Sequence, residues 1–346
     1  MVDTLPQNKT GSNAFAEAIL AWYDREARRF PWRIPPGEAR RASAYEVLVS
    51  EVMLQQTTTH VVEKRYPAFL EKFPTLEALA AADEGEVTDA WAGLGYYRRA
   101  RALHACARCV VGEHGGVFPG GEAALKTLPG IGDYTGAAIT AIARGEPAVV
   151  VDGNIERVMA RVGAIGEPLP KGKKAIKRLA ESLMSWDRPG DYAQALMDLG
   201  ARICRPKSPD CLLCPVREHC AAQAQGIAEN LPVKAPKKAK KTVSGRVFVA
   251  QNSAGKILCV RRPNEGLFGS MLGLPGDGWD GSVAMDVAID TWQLKGMVSH
   301  TLTHRELSID VYLSSAPPTD GEWITVDEAR SAMPTLFVKA LERALS

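Results

Sequence analysis

Four cysteines, Cys204, Cys211, Cys214 and Cys220, fall within seventeen residues, with six, two and five residues between them. Four thiolates on so short a loop can enclose one iron–sulfur cluster, each spacer making a turn wide enough to reach a separate iron. The spacing points to a [4Fe–4S] cluster. Structural zinc is the rival, although zinc loops usually pair two Cys-x2-Cys knuckles and only Cys211/Cys214 forms one here. The other three cysteines, Cys106, Cys109 and Cys259, are scattered, and an odd total of seven argues against a disulfide framework and for a reducing compartment. Cys106 and Cys109 also have Cys-x2-Cys spacing, but they lie in the apolar run HACARCVV and read as small buried helix residues.

Two carboxylates carry a second kind of chemistry. Glu51 lies in VLVSEVML, where Val47, Leu48 and Leu54 share its helical neighbourhood and turn its carboxyl inward. Burial disfavours the charged form, so such a carboxyl keeps its proton near neutral pH and can act as a general acid on a leaving nitrogen. Asp152 ends the apolar run AVVV just before a helical segment, the position of an N-cap. A carboxylate fixed there is a rigid negative charge, suited to stabilising an oxocarbenium-like sugar cation. One protonated and one ionised carboxyl is the pairing used in glycoside hydrolysis.

The elements that must hold these groups follow from periodicity. Apolar residues recur at helical spacing over 13–28, 43–57, 59–72, 75–81, 85–92, 97–113, 121–127, 135–143, 154–162, 173–185 and 191–203, so residues 1–231 read as an all-α domain. The stretch 232–242, which contains PVKAPKKAKK, has no apolar periodicity and reads as an exposed basic linker. Beyond it, GRVFVAQN, KILCVRR, ELSIDVYLS and GEWITVDEA are short strand-like runs, and an amphipathic helix closes the chain near 334–345, so 243–346 reads as a smaller α+β domain. At 346 residues the chain is long enough for two cores. The polar start MVDTLPQNKT has no apolar core of a signal peptide, and no run of about 18 apolar residues occurs, which leads us to expect a soluble, intracellular protein without membrane attachment. Net charge is only +2, but lysines and arginines cluster at 98–101, 171–178 and 234–241.

Within the helical part, LPGIGDYTGAAI at 128–139 joins two helices through a turn containing Gly130 and Gly132. Glycine permits the turn and lets a partner come close, while Thr135 and the helix start that follows would offer amides outward, an arrangement suited to a DNA phosphate and blind to base identity. This is a helix-hairpin-helix signature, spanning 122–143 with its flanking helices.

This hairpin, then VVDGNIERV at 150–158, then the cysteine loop at 204–220, resemble in that order the endonuclease III superfamily of base-excision DNA glycosylases. With SEVMLQQTT at 50–58, GLGYYRRAR at 93–101 and a C-terminal domain of fitting size, the chain is similar to the MutY-type adenine DNA glycosylases over nearly its full length. The resemblance implies an enzyme that hydrolyses the N-glycosidic bond of adenine opposite 8-oxoguanine or guanine in double-stranded DNA, works as a monomer, and resides in the cytoplasm on the nucleoid. By resemblance Glu51 protonates the adenine ring, Asp152 is the ionised carboxylate, and Asn154 holds the sugar and water. Gln55 and Gln56 fill the space of the extruded base, Tyr96 is an aromatic wedge that offsets unstacking, and Trp32, Arg33 and Gln194 line the adenine pocket. Bifunctional relatives carry a Schiff-base lysine in the hairpin where this chain has Tyr134, so an intact strand with an abasic site is the expected product. A bifunctional or thymine-removing relative on the same scaffold is the alternative.

The C-terminal domain resembles the MutT-like recognition domain of the family, and it lacks the acidic helix that would hold magnesium against a pyrophosphate, so no pyrophosphohydrolase activity is expected. The family reads 8-oxoguanine with a Phe-Ser-His loop. Here Leu302, Thr303 and His304 stand in those places, keeping the hydroxyl and the imidazole and replacing the aromatic wedge by an aliphatic one.

Overall fold

In the computed structural model of the chain, residues 13–235, 240–263, 266–269, 271–285, 291–302, 305–314 and 322–346 are described, and the molecule divides into two compact units after Ala235. Thr303 and His304 lie outside the described residues.

The first unit is helical: α1 (Ala14–Glu26), α2 (Ala44–Leu54), α3 (Thr59–Lys72), α4 (Leu76–Ala81), α5 (Glu84–Ala90), α6 (Arg98–His114), α7 (Glu122–Leu125), α8 (Asp133–Ala138), α9 (Gly153–Val162), α10 (Lys173–Ser182), α11 (Pro189–Arg202) and the short α12 (Ala221–Ala224). Two hydrophobic cores organise it. One gathers residues from Trp32 to Ile139 around α2 and α6; the other joins α1, α8, α9, α10 and α11.

The helix α2 begins with a capping box, in which the Ser43 hydroxyl accepts from the Glu46 N–H and the Glu46 carboxylate accepts from the Ser43 N–H. Every residue from Val47 to Met53 is buried, so this helix is enclosed on all faces and whatever polar group it carries is held out of water. The helix α11 is similarly enclosed, with Pro189 preset at its first turn. It lies close on α9, because a Cβ added at Gly200 would fall 2.6 Å from Cβ of Asn154. The helix α8 runs on into a π-helical turn at 139–143, where a wider turn redirects the chain toward the 144–152 segment.

The second unit contains β1 (Lys241–Ala250), β2 (Ile257–Arg261), β3 (Leu272–Gly273), β4 (Gln293–Thr301), β5 (Arg305–Ser314), β6 (Glu322–Ile324), α13 (Val326–Ala332) and α14 (Thr335–Leu345). One sheet has the order β1-β5-β4, with β1 parallel to β5 and β4 antiparallel to it; the other has the order β3-β2-β6. Inward residues of both sheets close on the apolar face of α14, led by Leu336, Phe337 and Leu341.

The segment 232–242, read from composition as linker, is shorter than that in the fold. The Leu169 N–H donates to the Val233 carbonyl at 2.8 Å, and β1 has already begun at Lys241.

Candidate active site and cysteine loop

The helices bring Glu51 of α2, Tyr134 of α8 and Asp152 at the start of α9 into one neighbourhood where the two cores of the helical unit meet. Glu51 is 6% exposed, and the Tyr134 hydroxyl donates to its Oε2 at 2.6 Å. Burial lifts the Glu51 pKa from 4.5 to about 7, opposed by the Tyr134 hydrogen bond, raised by the Asp152 charge and lowered by that of Arg33. Burial holds the Tyr134 phenol well above its ordinary range, with the two carboxylates adding to the effect, so it stays a donor.

Asp152 caps α9: its Oδ1 accepts from the Ile155 N–H at 2.7 Å and its Oδ2 from the Asn154 amide at 2.9 Å. Burial raises its pKa, and these donors pull it back. Asn154 is steered in turn by Arg157, whose Nη2 donates to Asn154 Oδ1 at 3.0 Å and to the Gly200 carbonyl at 2.6 Å, while its Nε donates to the Cys204 carbonyl at 2.8 Å. One arginine on α9 therefore ties the capping carboxylate to the cysteine loop.

That loop is built around a second arginine one turn on. Arg161, 1% exposed, donates to the carbonyls of Arg205, Pro206 and Leu231 and reaches Cys204 Sγ at 3.2 Å. Cys204, Cys211, Cys214 and Cys220 all line one small cavity with Arg161 and Arg217. Among the described residues, no three of these sulfurs lie within 4.8 Å of one another. Four thiols lining one cavity form a donor set that could hold a thiolate-bound metal centre.

Gln55 is half-buried and Gln56 exposed with φ +56°, directly after α2. Tyr96, also with positive φ (+49°), is 60% exposed. Between them sits Arg99, which in the sequence is only one member of a basic cluster. Its Nη1 donates to the carbonyls of Val52, Met53 and Gln55, its Nη2 to those of Leu94 and Gly95, and its guanidinium lies 5.5 Å from the Tyr96 ring centre. It closes the open carbonyl end of α2 and fixes the two loops side by side.

In the hairpin, Gly130 has φ +76° and a Cβ there would meet Ala102 Cβ at 2.9 Å, so the turn is pressed against α6. Gly132 is extended and open to solvent at the start of α8. Thr135, in the first turn of α8, is buried, its side chain facing the core.

Trp32, Arg33 and Gln194 separate. Trp32 and Gln194 are buried and line the same cavity of about 240 Å³, together with Ile142 and Gly190; Arg33 and Glu51 are not among its lining. Arg33 instead donates through Nη1 to both oxygens of Asp198 at 2.8 Å. Asp198 is fully buried and also accepts from the Arg28 backbone and Nε; nothing in the apolar pattern of α11 marks it. Leu302 packs against the core of the second unit, and its N–H donates to the Arg305 carbonyl at 2.8 Å.

Residues 49–185 match the HhH-GPD superfamily base excision DNA repair protein model, and residues 246–343 match the NUDIX domain. The chain is 34% identical to the human adenine DNA glycosylase, over 95% of this chain and 73% of the human protein. This chain belongs to the adenine DNA glycosylase family. Its Mycolicibacterium smegmatis relative, also an adenine DNA glycosylase, is 40% identical over 60% of this chain and 69% of its own length. Among solved structures, a thermostable thymine-DNA glycosylase is 31% identical with a TM-score of 0.54, covering 61% of this chain and 95% of that one.

Proposed function

We propose that this family member removes adenine paired with 8-oxoguanine, and more slowly adenine paired with guanine, from duplex DNA, leaving an abasic site in an uncut strand. The observation that carries this reading is the buried Glu51 carboxyl, lifted to about 7 and held by Tyr134, close enough to Asp152 and Arg33 to feel their charges. At neutral pH Glu51 can hand a proton to a ring nitrogen of the extruded adenine, weakening its bond to the sugar. Positive charge then grows on the sugar. The donors on Asp152 from Ile155 and Asn154 favour its ionised form, and that fixed negative charge stabilises the cation until water adds. Tyr134 holds the acid but has no amine for a Schiff base, so no route to strand cleavage is built in.

DNA would lie over the Gly130–Gly132 turn and the start of α8 through its phosphates. Gln55, Gln56 and Tyr96, set by Arg99, would fill the gap left by the flipped base. The second unit would read the opposite base through Leu302, Thr303 and His304. For the cysteine cavity we propose a [4Fe–4S] cluster on Cys204, Cys211, Cys214 and Cys220. Burial pushes the Cys214 thiol up to about 12 and its neighbours' charges add to this, a penalty that cationic iron centres remove. When bound, the cluster supplies thiolate–iron cross-links that fix the loop rather than a step in hydrolysis.

The likeness to a thymine-DNA glycosylase favours a second reading, but that protein covers only 61% of this chain. A panel of 8-oxoguanine:A, G:A, G:T and 8-oxoguanine:C duplexes, treated with excess protein and then hot alkali, decides between them. Breaks at adenine alone support adenine removal, and breaks at thymine support the second reading.

A further inference from the structure

The Cys-x2-Cys at 106 and 109 divides in the fold. Cys106 is in the core, as its apolar surroundings predict, whereas Cys109 is half-buried and faces the last turn of α6. There its sulfur, a Glu113 carboxylate oxygen and a His114 ring nitrogen all lie within 4.8 Å of one another. A sulfur, a nitrogen and an oxygen converging from one helical turn form the ligand mixture that zinc-class cations prefer, and three protein ligands leave one position of a tetrahedron for water.

The surroundings favour a cation. His114 is the final residue of α6, and Gly115, with φ +61°, stops the helix there, so the carbonyl end of the helix dipole points at the group. Glu77 of α4 reaches the same end: a Cβ added at Gly116 would lie 2.9 Å from its Oε1. The three ligand atoms already lie together in the metal-free fold, so binding needs no rearrangement of the helix.

We propose that Cys109, Glu113 and His114 form a binding site for a divalent cation of the zinc class, separate from the four-cysteine loop, that cross-links the last turn of α6. On binding, a metal–sulfur bond replaces the sulfur–hydrogen bond and the proton leaves to solvent.

The test uses full-length protein with its loop cysteines loaded with iron, dialysed against low-micromolar Zn2+ and analysed for both metals. The site predicts a single zinc per chain with iron content unchanged, and none in the Cys109→Ser/His114→Ala variant. Co2+ in place of zinc should give thiolate-to-cobalt absorption that Cys109→Ser removes and Cys106→Ala leaves in place. Added Zn2+ should raise the melting temperature of the parent protein but not of the double variant, whose metal-free melting temperature should match the parent's. The proposal is overturned if the parent takes up no zinc, if the double variant binds it equally, or if zinc enters only as iron is lost.

Discussion

Tyr134 and Glu51 are 83 residues apart in the chain, yet the phenol of one donates a 2.6 Å hydrogen bond to the carboxyl of the other. The hairpin residue that occupies the place of a Schiff-base lysine therefore touches the proposed acid. Under the proposed function, the absence of a Schiff-base amine and the tuning of the acid would fall on the same side chain.

Glu51→Gln keeps the shape of the side chain and removes the acid. Single-turnover release of adenine should fall by about a hundredfold or more, while the fold gains stability at alkaline pH. The sign follows from the raised pKa: the folded protein holds the Glu51 proton up to about 7, and the unfolded chain releases it near 4.5. Stability is thus lost as pH rises between those values, by about 3 kcal/mol. The variant lacks that loss, so its melting temperature should match the parent's at acid pH and exceed it above pH 7.

Arg99→Lys retains the charge but not the fork that reaches both loops. With the carbonyls of Val52, Met53 and Gln55 deprived of their donor, we expect destabilisation of about 2–4 kcal/mol and weaker binding to mispaired duplex. Thermal unfolding and titration of labelled duplex check this. Unchanged values in both would mean that Arg99 does not set the two loops.

Arg157→Ala removes the link between Asn154 and the Cys204 carbonyl. The rate of adenine release should drop while affinity for duplex changes little, because Asp152 loses the neighbour that orients its own donor. Single-turnover rates compared with equilibrium binding of the same duplex separate the two effects.

Legibility in the sequence depends on the kind of signal. Glu51 is readable because Val47, Leu48 and Leu54 enclose it locally, and Asp152 because a capping position is marked by what precedes and follows it. Arg99, Arg157, Arg161 and Asp198 are not. Each has partners among backbone carbonyls or charges 40 or more residues away, and a charged residue at a helical position carries no sign of whether it faces water or a buried carbonyl. In the second unit the strands are visible as apolar runs, but the parallel pairing of β1 with β5, 64 positions on, has no local signature.

The pH dependence of single-turnover adenine release, compared between the parent protein and Tyr134→Phe, probes the proposed acid most directly. If Glu51 acts as the acid, the parent's rate should fall as pH rises through about 7. Removing the Tyr134 hydrogen bond, which holds the Glu51 pKa down, should move that falling limb to higher pH. A limb that does not move, or that moves to lower pH, would contradict the tuning of Glu51 by Tyr134.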